Sequence, residues 1–168
     1  MDRSAPLFDV VLHQPLIPNN TGNIGRTCVA VGAALRLIHP LGFSLDAKAR
    51  RRAGLDYWPR LTLHEHDSWE AYEVQQTAPM WLFTVDAPRP FYDATFQRGD
   101  HLVFGSETNG LPDAVLQRHA DRVLSLPMLP GERSLNLATV VCVALFEGIR
   151  QLRASGAVSV DAAGRLRP

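Results

Sequence analysis

Arg133, Ser134 and Asn136 stand together at the mouth of a long apolar run, in the stretch LPMLPGERSLNLATVVCVALFEGIRQL from Leu126 to Leu152. Ser and Asn in such a place satisfy the first N–H groups of a helix, which lack partners within it; facing inward, the same groups line a ligand site. A second polar loop, FGSETNGLP, sets the carboxylate of Glu107 between Gly105 and Gly110. Glycine permits a tight turn and close backbone approach to a ligand, and the carboxylate is a candidate proton acceptor. The third loop, IPNNTGNIGRT, carries Asn23 and Arg26. Asn23 is expected to cap a helix running from about Asn23 to Gly32, with Arg26 one turn in. A cation sits badly there because the helix dipole favours anions, and a nucleic-acid phosphate is one partner that would resolve the conflict. Each loop alone also reads as an ordinary turn or cap.

Several familiar chemistries do not fit these residues. Walker A requires Lys followed by Ser or Thr after its glycines, and a dinucleotide fold requires G-x-G-x-x-G. Ser134 lacks the G-x-S-x-G elbow of an acyl-transfer nucleophile. His64-Glu65-His66 offers two imidazoles and no third ligand nearby in sequence, so no metal is expected.

Alternating strands and helices must position the three loops. FDVVLH, LRLIH, LTLHEH, MWLFTV, HLVFG and VLSLP read as strands. SWEAYEVQQ reads as a helix capped by Ser68, and PDAVLQRHA as one begun by Pro112. A short basic helix is expected around Asp46–Ala53. Leu137, Val140, Val141, Ala144, Leu145 and Ile149 recur at helical spacing in a run too long for a buried strand. Ala138, Val143 and Phe146 make the remaining face of that helix apolar, so it needs cover on more than one side. The alternation predicts an α/β domain with a largely parallel sheet and flanking helices. In such sheets ligands bind where the carboxyl ends of the strands open into loops, and all three polar loops occupy such places.

At 168 residues the chain is expected to be one domain, spanning 1–153, followed by a loose tail at 154–168 rich in Ala, Gly and Ser. The 17 Lys and Arg balance the 17 Asp and Glu, so any grip on phosphates must be local. Lys48, Arg50, Arg51 and Arg52 form one basic cluster, while Arg150, Arg153, Arg165 and Arg167 lie near the other end; each also reads as a solvated face. Cys28 and Cys142, in apolar helical patterns without C-x-x-C spacing or a secretory signal, read as buried thiols of a cytoplasmic protein. No stretch approaches the roughly 18 apolar residues of a membrane span.

Taken in order, NNTGNIGRT (Asn19–Thr27), LVFGSETNGLP (Leu102–Pro112) and LPMLPGERSLNL (Leu126–Leu137) resemble the three signature motifs of the SPOUT superfamily of S-adenosylmethionine-dependent RNA 2′-O-methyltransferases. Within it, the absence of an appended RNA-binding module and the segment RRAGLDYW (Arg51–Trp58) resemble the branch that methylates the wobble ribose, cytidine or 5-modified uridine, of leucine tRNAs. Leu126 stands where Ile is usual, and Asn109 where a basic residue is common.

The resemblance implies a deep trefoil knot in the C-terminal half, a homodimer and no metal. It places S-adenosylmethionine, and its product S-adenosylhomocysteine, against Phe83, Thr84, Gly105, Glu107, Gly110, Leu126, Met128, Ser134 and Leu135. Ser134 and Asn136 would lie beside the reacting centre, and Arg26 matches the family's catalytic arginine, proposed as the base once a phosphate has engaged it; the residues themselves leave open Glu107 as the catalytic base, or Arg26 acting only to orient phosphate and hydroxyl. Asn23, Arg26, Arg50, Arg51 and Arg52 would meet a tRNA anticodon stem-loop, with Tyr57 and Trp58 either stacking on its bases or packed in the core. Another tRNA or rRNA position, a small-molecule nucleotide-binding enzyme and a non-catalytic RNA-binding module of the same fold remain as alternatives.

Overall fold

The computed structural model describes residues 5–46 and 56–167. Lys48, Arg50, Arg51 and Arg52, and the basic helix expected beyond Asp46, lie outside the described residues. Six parallel strands form one sheet: β1 (Asp9–His13), β2 (Ala34–Ile38), β3 (Leu63–His66), β4 (Met80–Phe83), β5 (His101–Phe104) and β6 (Val123–Leu124). They lie in the order β3-β2-β1-β5-β4-β6. β1, β2, β4 and β5 are almost wholly buried apolar runs, as strands covered by helices on both faces must be.

Among the described residues four α-helices cover the sheet: α1 (Pro18–Val31), α2 (Trp69–Gln75), α3 (Asp113–Arg118) and α4 (Leu137–Ala154). α1 and α4 pack on each other over the larger core, where Phe8, Leu12, Leu35, Leu102 and Phe104 meet Val141, Leu145 and Ile149. On the other face, Trp69 and Tyr72 of α2 and Val115 of α3 cover Val11, Ile38, Leu82 and Val103. Ser68 caps α2 through a hydrogen bond accepted from the Ala71 N–H, and Pro112 occupies the cap of α3.

α1 begins earlier than its sequence suggests, at Pro18 rather than near Asn23. Pro18 is at home at the first helical position, where its missing N–H costs nothing. Asn23 is therefore an exposed interior residue of α1, and Arg26 lies in the third turn, where no conflict with the dipole arises. The tail also differs from its expectation. After α4 it folds into a two-stranded antiparallel hairpin, β7 (Ser159–Val160) with β8 (Leu166–Arg167), anchored by buried Val158 and by bonds from the Ala157 and Val158 N–H groups to the Leu152 carbonyl. The Asp161 carboxylate holds its turn, accepting from the Ala163 and Arg165 N–H groups and from the Arg167 guanidinium. Cys28 is buried, and burial pushes its thiol up to about 12, whereas Cys142 is only half-buried. No described helix is long and apolar enough to cross a membrane.

Candidate active site

β1 and β5 are neighbours although far apart in sequence, so strand order reverses between them and their carboxyl ends open a crevice. The loop after β5 is folded tightly: Ser106 and Gly110 exchange backbone hydrogen bonds of 3.2 and 3.0 Å. A Cβ at Gly105 would stand 1.9 Å from the Gly110 carbonyl carbon, and Gly110 has φ +65°, so both glycines are required by geometry.

This fold aims Glu107 across the crevice at the start of α1. Its carboxylate accepts from the Leu16 N–H at 2.8 Å, the Ile17 N–H at 3.1 Å and the Asn20 side-chain amide at 2.9 Å. It thus caps α1 from outside, a service no local side chain performs. Burial pushes its pKa up, but the bonds from Asn20, Leu16 and Ile17 outweigh that effect and hold the carboxyl below its ordinary range. Asn20 is 6% exposed, and its carbonyl accepts from the Asn136 amide at 2.9 Å. The Asn136 carbonyl in turn accepts from the Ala138 and Thr139 N–H groups and caps α4. One chain of side-chain bonds, Glu107–Asn20–Asn136, therefore ties together the loops after β1, β5 and β6. Asn20 is the member the sequence did not reveal; its one signal was a second Asn in a loop already crowded with helix-capping residues.

Beside this tie, the ends of β5, β4 and β6 are in register, with Phe83 paired to both Phe104 and Leu124, and the Thr84 N–H donates to the Leu124 carbonyl at 3.0 Å. Thr84, Gly105 and Ser125 therefore leave the sheet side by side, with Leu126 next along the chain. An open groove of about 520 Å³ follows, lined by Val85, Asp86 and the run from Ser125 to Arg133. Leu126 and Met128 are half-buried in its wall, and exposed Ser134 and Leu135 continue from its end toward the cap of α4. Its volume is that of a small-molecule site.

Arg26 is exposed on α1, its guanidinium 4.6 Å from the centroid of the Tyr57 ring and 3.7 Å from the Asp56 carboxylate. Tyr57 and Trp58 are core residues, at 2% and 5% exposure, so neither is available to stack on a base. Burial raises the Tyr57 pKa against the pull of Arg26, which keeps the phenol a neutral donor, and its hydroxyl bonds the Gly22 carbonyl. Among the described residues no three His, Cys, Asp or Glu side chains converge as metal ligands. Glu65 instead pairs with His39 at 2.8 Å, and His66 is buried against Tyr72.

Known proteins are similar to this chain over most of its length. The chain is 47% identical over 149 residues to the tRNA (cytidine(34)-2′-O)-methyltransferase of Burkholderia pseudomallei, a match covering 86% of this chain and 96% of that protein. It is 44% identical over 153 residues to the like-named protein of Saccharophagus degradans, covering 89% and 99%. A solved structure presented as "Structural insights into the 2-OH methylation of C/U34 on tRNA" superposes with a TM-score of 0.82 at 45% identity, covering 88% of this chain and 97% of that one. The methyltransferase AviRb of Streptomyces viridochromogenes, solved in complex with AdoMet, gives 0.70 at 27% identity over 88% of this chain and 61% of that one. Residues 8–146 match the model of the SpoU rRNA Methylase family, and with these relatives spanning nearly its whole length, the chain belongs to that family.

Proposed function

We propose that this protein transfers a methyl group from S-adenosylmethionine to the ribose 2′-hydroxyl of nucleotide 34 in tRNA. The observation that carries the reading is the end-to-end similarity, at 44–47% identity, to proteins named for that reaction, on a chain whose three motif loops are joined at one crevice. The groove after β4 and β6 is the place for the adenosyl moiety. Half-buried Leu126 and Met128 supply the apolar part of a mostly polar lining, and the backbone leaving the three strand ends supplies polar groups for an adenine. When bound, the sulfonium supplies both the methyl group and the driving force.

The protein's own task is to orient the hydroxyl in line and to help its proton leave. Arg26 orients a backbone phosphate and the hydroxyl together. A guanidinium, with pKa above about 12, is poorly suited to accept the proton. Glu107 is already engaged by three donors, so it acts by holding the loops in register, and the hydroxyl proton passes to solvent water as the methyl leaves the sulfonium. Ser134 lies beside the reacting centre, and Asn136 sets its position through the cap of α4.

The finer assignment is to leucine tRNAs carrying cytidine or 5-modified uridine at the wobble position, and it rests on the resemblance of Arg51–Trp58 to that branch. Recognition of the anticodon stem-loop would draw on Asn23, Arg26 and the basic cluster at Arg50, Arg51 and Arg52, with affinity falling steeply with salt. We assign the protein to the cytoplasm, where such tRNAs are modified. A trefoil knot is expected from the same resemblance; the return of the chain from β6 at the sheet edge to seat α4 on α1 and β5 is compatible with it. A homodimer through α4 is part of the reading. Mass spectrometry of tRNA from a strain lacking the protein should show loss of the 2′-O-methyl at nucleotide 34. Loss at another tRNA position or in rRNA would move the protein to another branch, and RNA binding without methyl transfer would make it a non-catalytic module.

A further inference from the structure

An arginine on an exposed helix face ordinarily samples many rotamers. Arg26 is held. Its guanidinium lies over the Tyr57 ring, and that ring is fastened to the same helix by a hydroxyl bond to the Gly22 carbonyl, one turn before Arg26. Gly25 lies beside the ring: a Cβ there would come within 3.2 and 3.3 Å of Leu61 and Trp58 and touch the Tyr57 ring at 3.5 Å, so this stretch of α1 packs closely on the segment that carries Tyr57. Ring and helix turn therefore form one rigid unit. A guanidinium lying on such a surface has its N–H groups in one fixed plane, the geometry that a phosphodiester accepts bidentately.

The second partner is of a different kind. Asp56 stands 3.7 Å from Arg26 with its side chain 82% exposed, against 61% for Arg26. An exposed ion pair of that length is weak, and a doubly bonded phosphate outcompetes it. The same phosphate cannot displace a buried ring.

We infer that Tyr57 is a positioning residue that presents the Arg26 guanidinium flat to an RNA phosphate, and that Asp56 is the stand-in anion which that phosphate displaces. The inference rests on the role given to Arg26 above.

The test uses the full chain with tRNA and S-adenosylmethionine, in the variants Y57F, Y57L, D56N, R26A and R26A/D56N. Y57L, which removes the ring, should lower kcat about 10- to 100-fold, as misplacement of an orienting group does, while cofactor affinity measured by calorimetry is unchanged. Y57F keeps the ring and should retain most of the turnover. D56N should tighten tRNA binding about two- to fivefold, the change that an exposed ion pair is worth, and that gain should vanish in the R26A background. Full turnover by Y57L, equal losses in Y57F and Y57L, or a D56N effect that is nil or persists without Arg26 would overturn the inference. If Y57L does not fold, the Y57F turnover and the D56N cycle still decide. Wild-type turnover by R26A would instead remove the assignment of Arg26 itself.

Discussion

Glu107 shows how one carboxylate can tie together loops that are distant in sequence. Three donors converge on it, two from the backbone at the start of α1 and one from Asn20. In E107Q the amide would turn N–H groups toward donors. Hydrogen bonds to a charged group contribute about 1.5–3 kcal/mol, less where solvent screens them, so we expect E107Q to unfold with a loss of about 1–2 kcal/mol at pH 7. The carboxyl is held below its ordinary value in the folded protein, so its contribution is full above about pH 4.5 and is lost as pH falls through the folded pKa. Urea unfolding should show the gap between wild type and E107Q closing at acid pH; a gap that stays constant would assign the stabilisation to something other than the charge.

At the scale of elements, α2 is joined to the sheet by polar contacts as well as apolar ones. Tyr72 bonds His101 at 2.7 Å, and Asp9 at the head of β1 receives Arg36 from β2 at 2.6 Å. Burial holds His101 down to about 4, with Asp9 opposing that shift and Arg36 adding to it. The unfolded chain therefore binds this proton first, and stability is full above about pH 6.5 and is lost as pH falls toward about 4. H101Q should show a shallower loss than wild type across that window in the same unfolding assay. On the opposite face, α4 approaches β1 closely at Gly148, where a Cβ would lie 2.6 Å from the Phe8 ring. Phe8 is wholly buried and has nowhere to retreat. G148A, elsewhere a helix-favouring change, should destabilise by about 1–3 kcal/mol, as overpacking does, and calorimetry should record a lower Tm.

The whole molecule leaves one face of α4 uncovered. Val143 and Phe146, three residues apart, are 40% and 53% exposed, while Val141, Ala144, Leu145 and Ile149 on the other face are buried. In the proposed homodimer this face is covered by the second copy. F146E would strand a charge in that contact without disturbing the core of a single chain. We expect light scattering to give a dimer for wild type and a monomer for F146E, with the circular dichroism spectrum unchanged; a monomeric wild type would dismiss the dimer.

Helical periodicity made α4 legible in the sequence, short apolar runs bounded by turn residues did so for the strands, and the Ser68 cap and Pro112 did so for α2 and α3, because each of these signals is written locally. Those signals also placed the three polar loops at strand ends, where an α/β sheet binds ligands. The start of α1 was hidden, since Pro18-Asn19-Asn20-Thr21-Gly22 reads as a loop until a carboxylate 87 residues from Asn20 caps the helix. Asn20 was missed for the same reason, its second partner lying 116 residues away. Tyr57 and Trp58 read equally well as stacking platforms or core, and only their packing against α1 in the larger core decided between the two. Local pattern determines which elements form. Which side chains meet across the crevice depends on strand order, and placing β5 against β1 is an outcome of the packed tertiary structure alone.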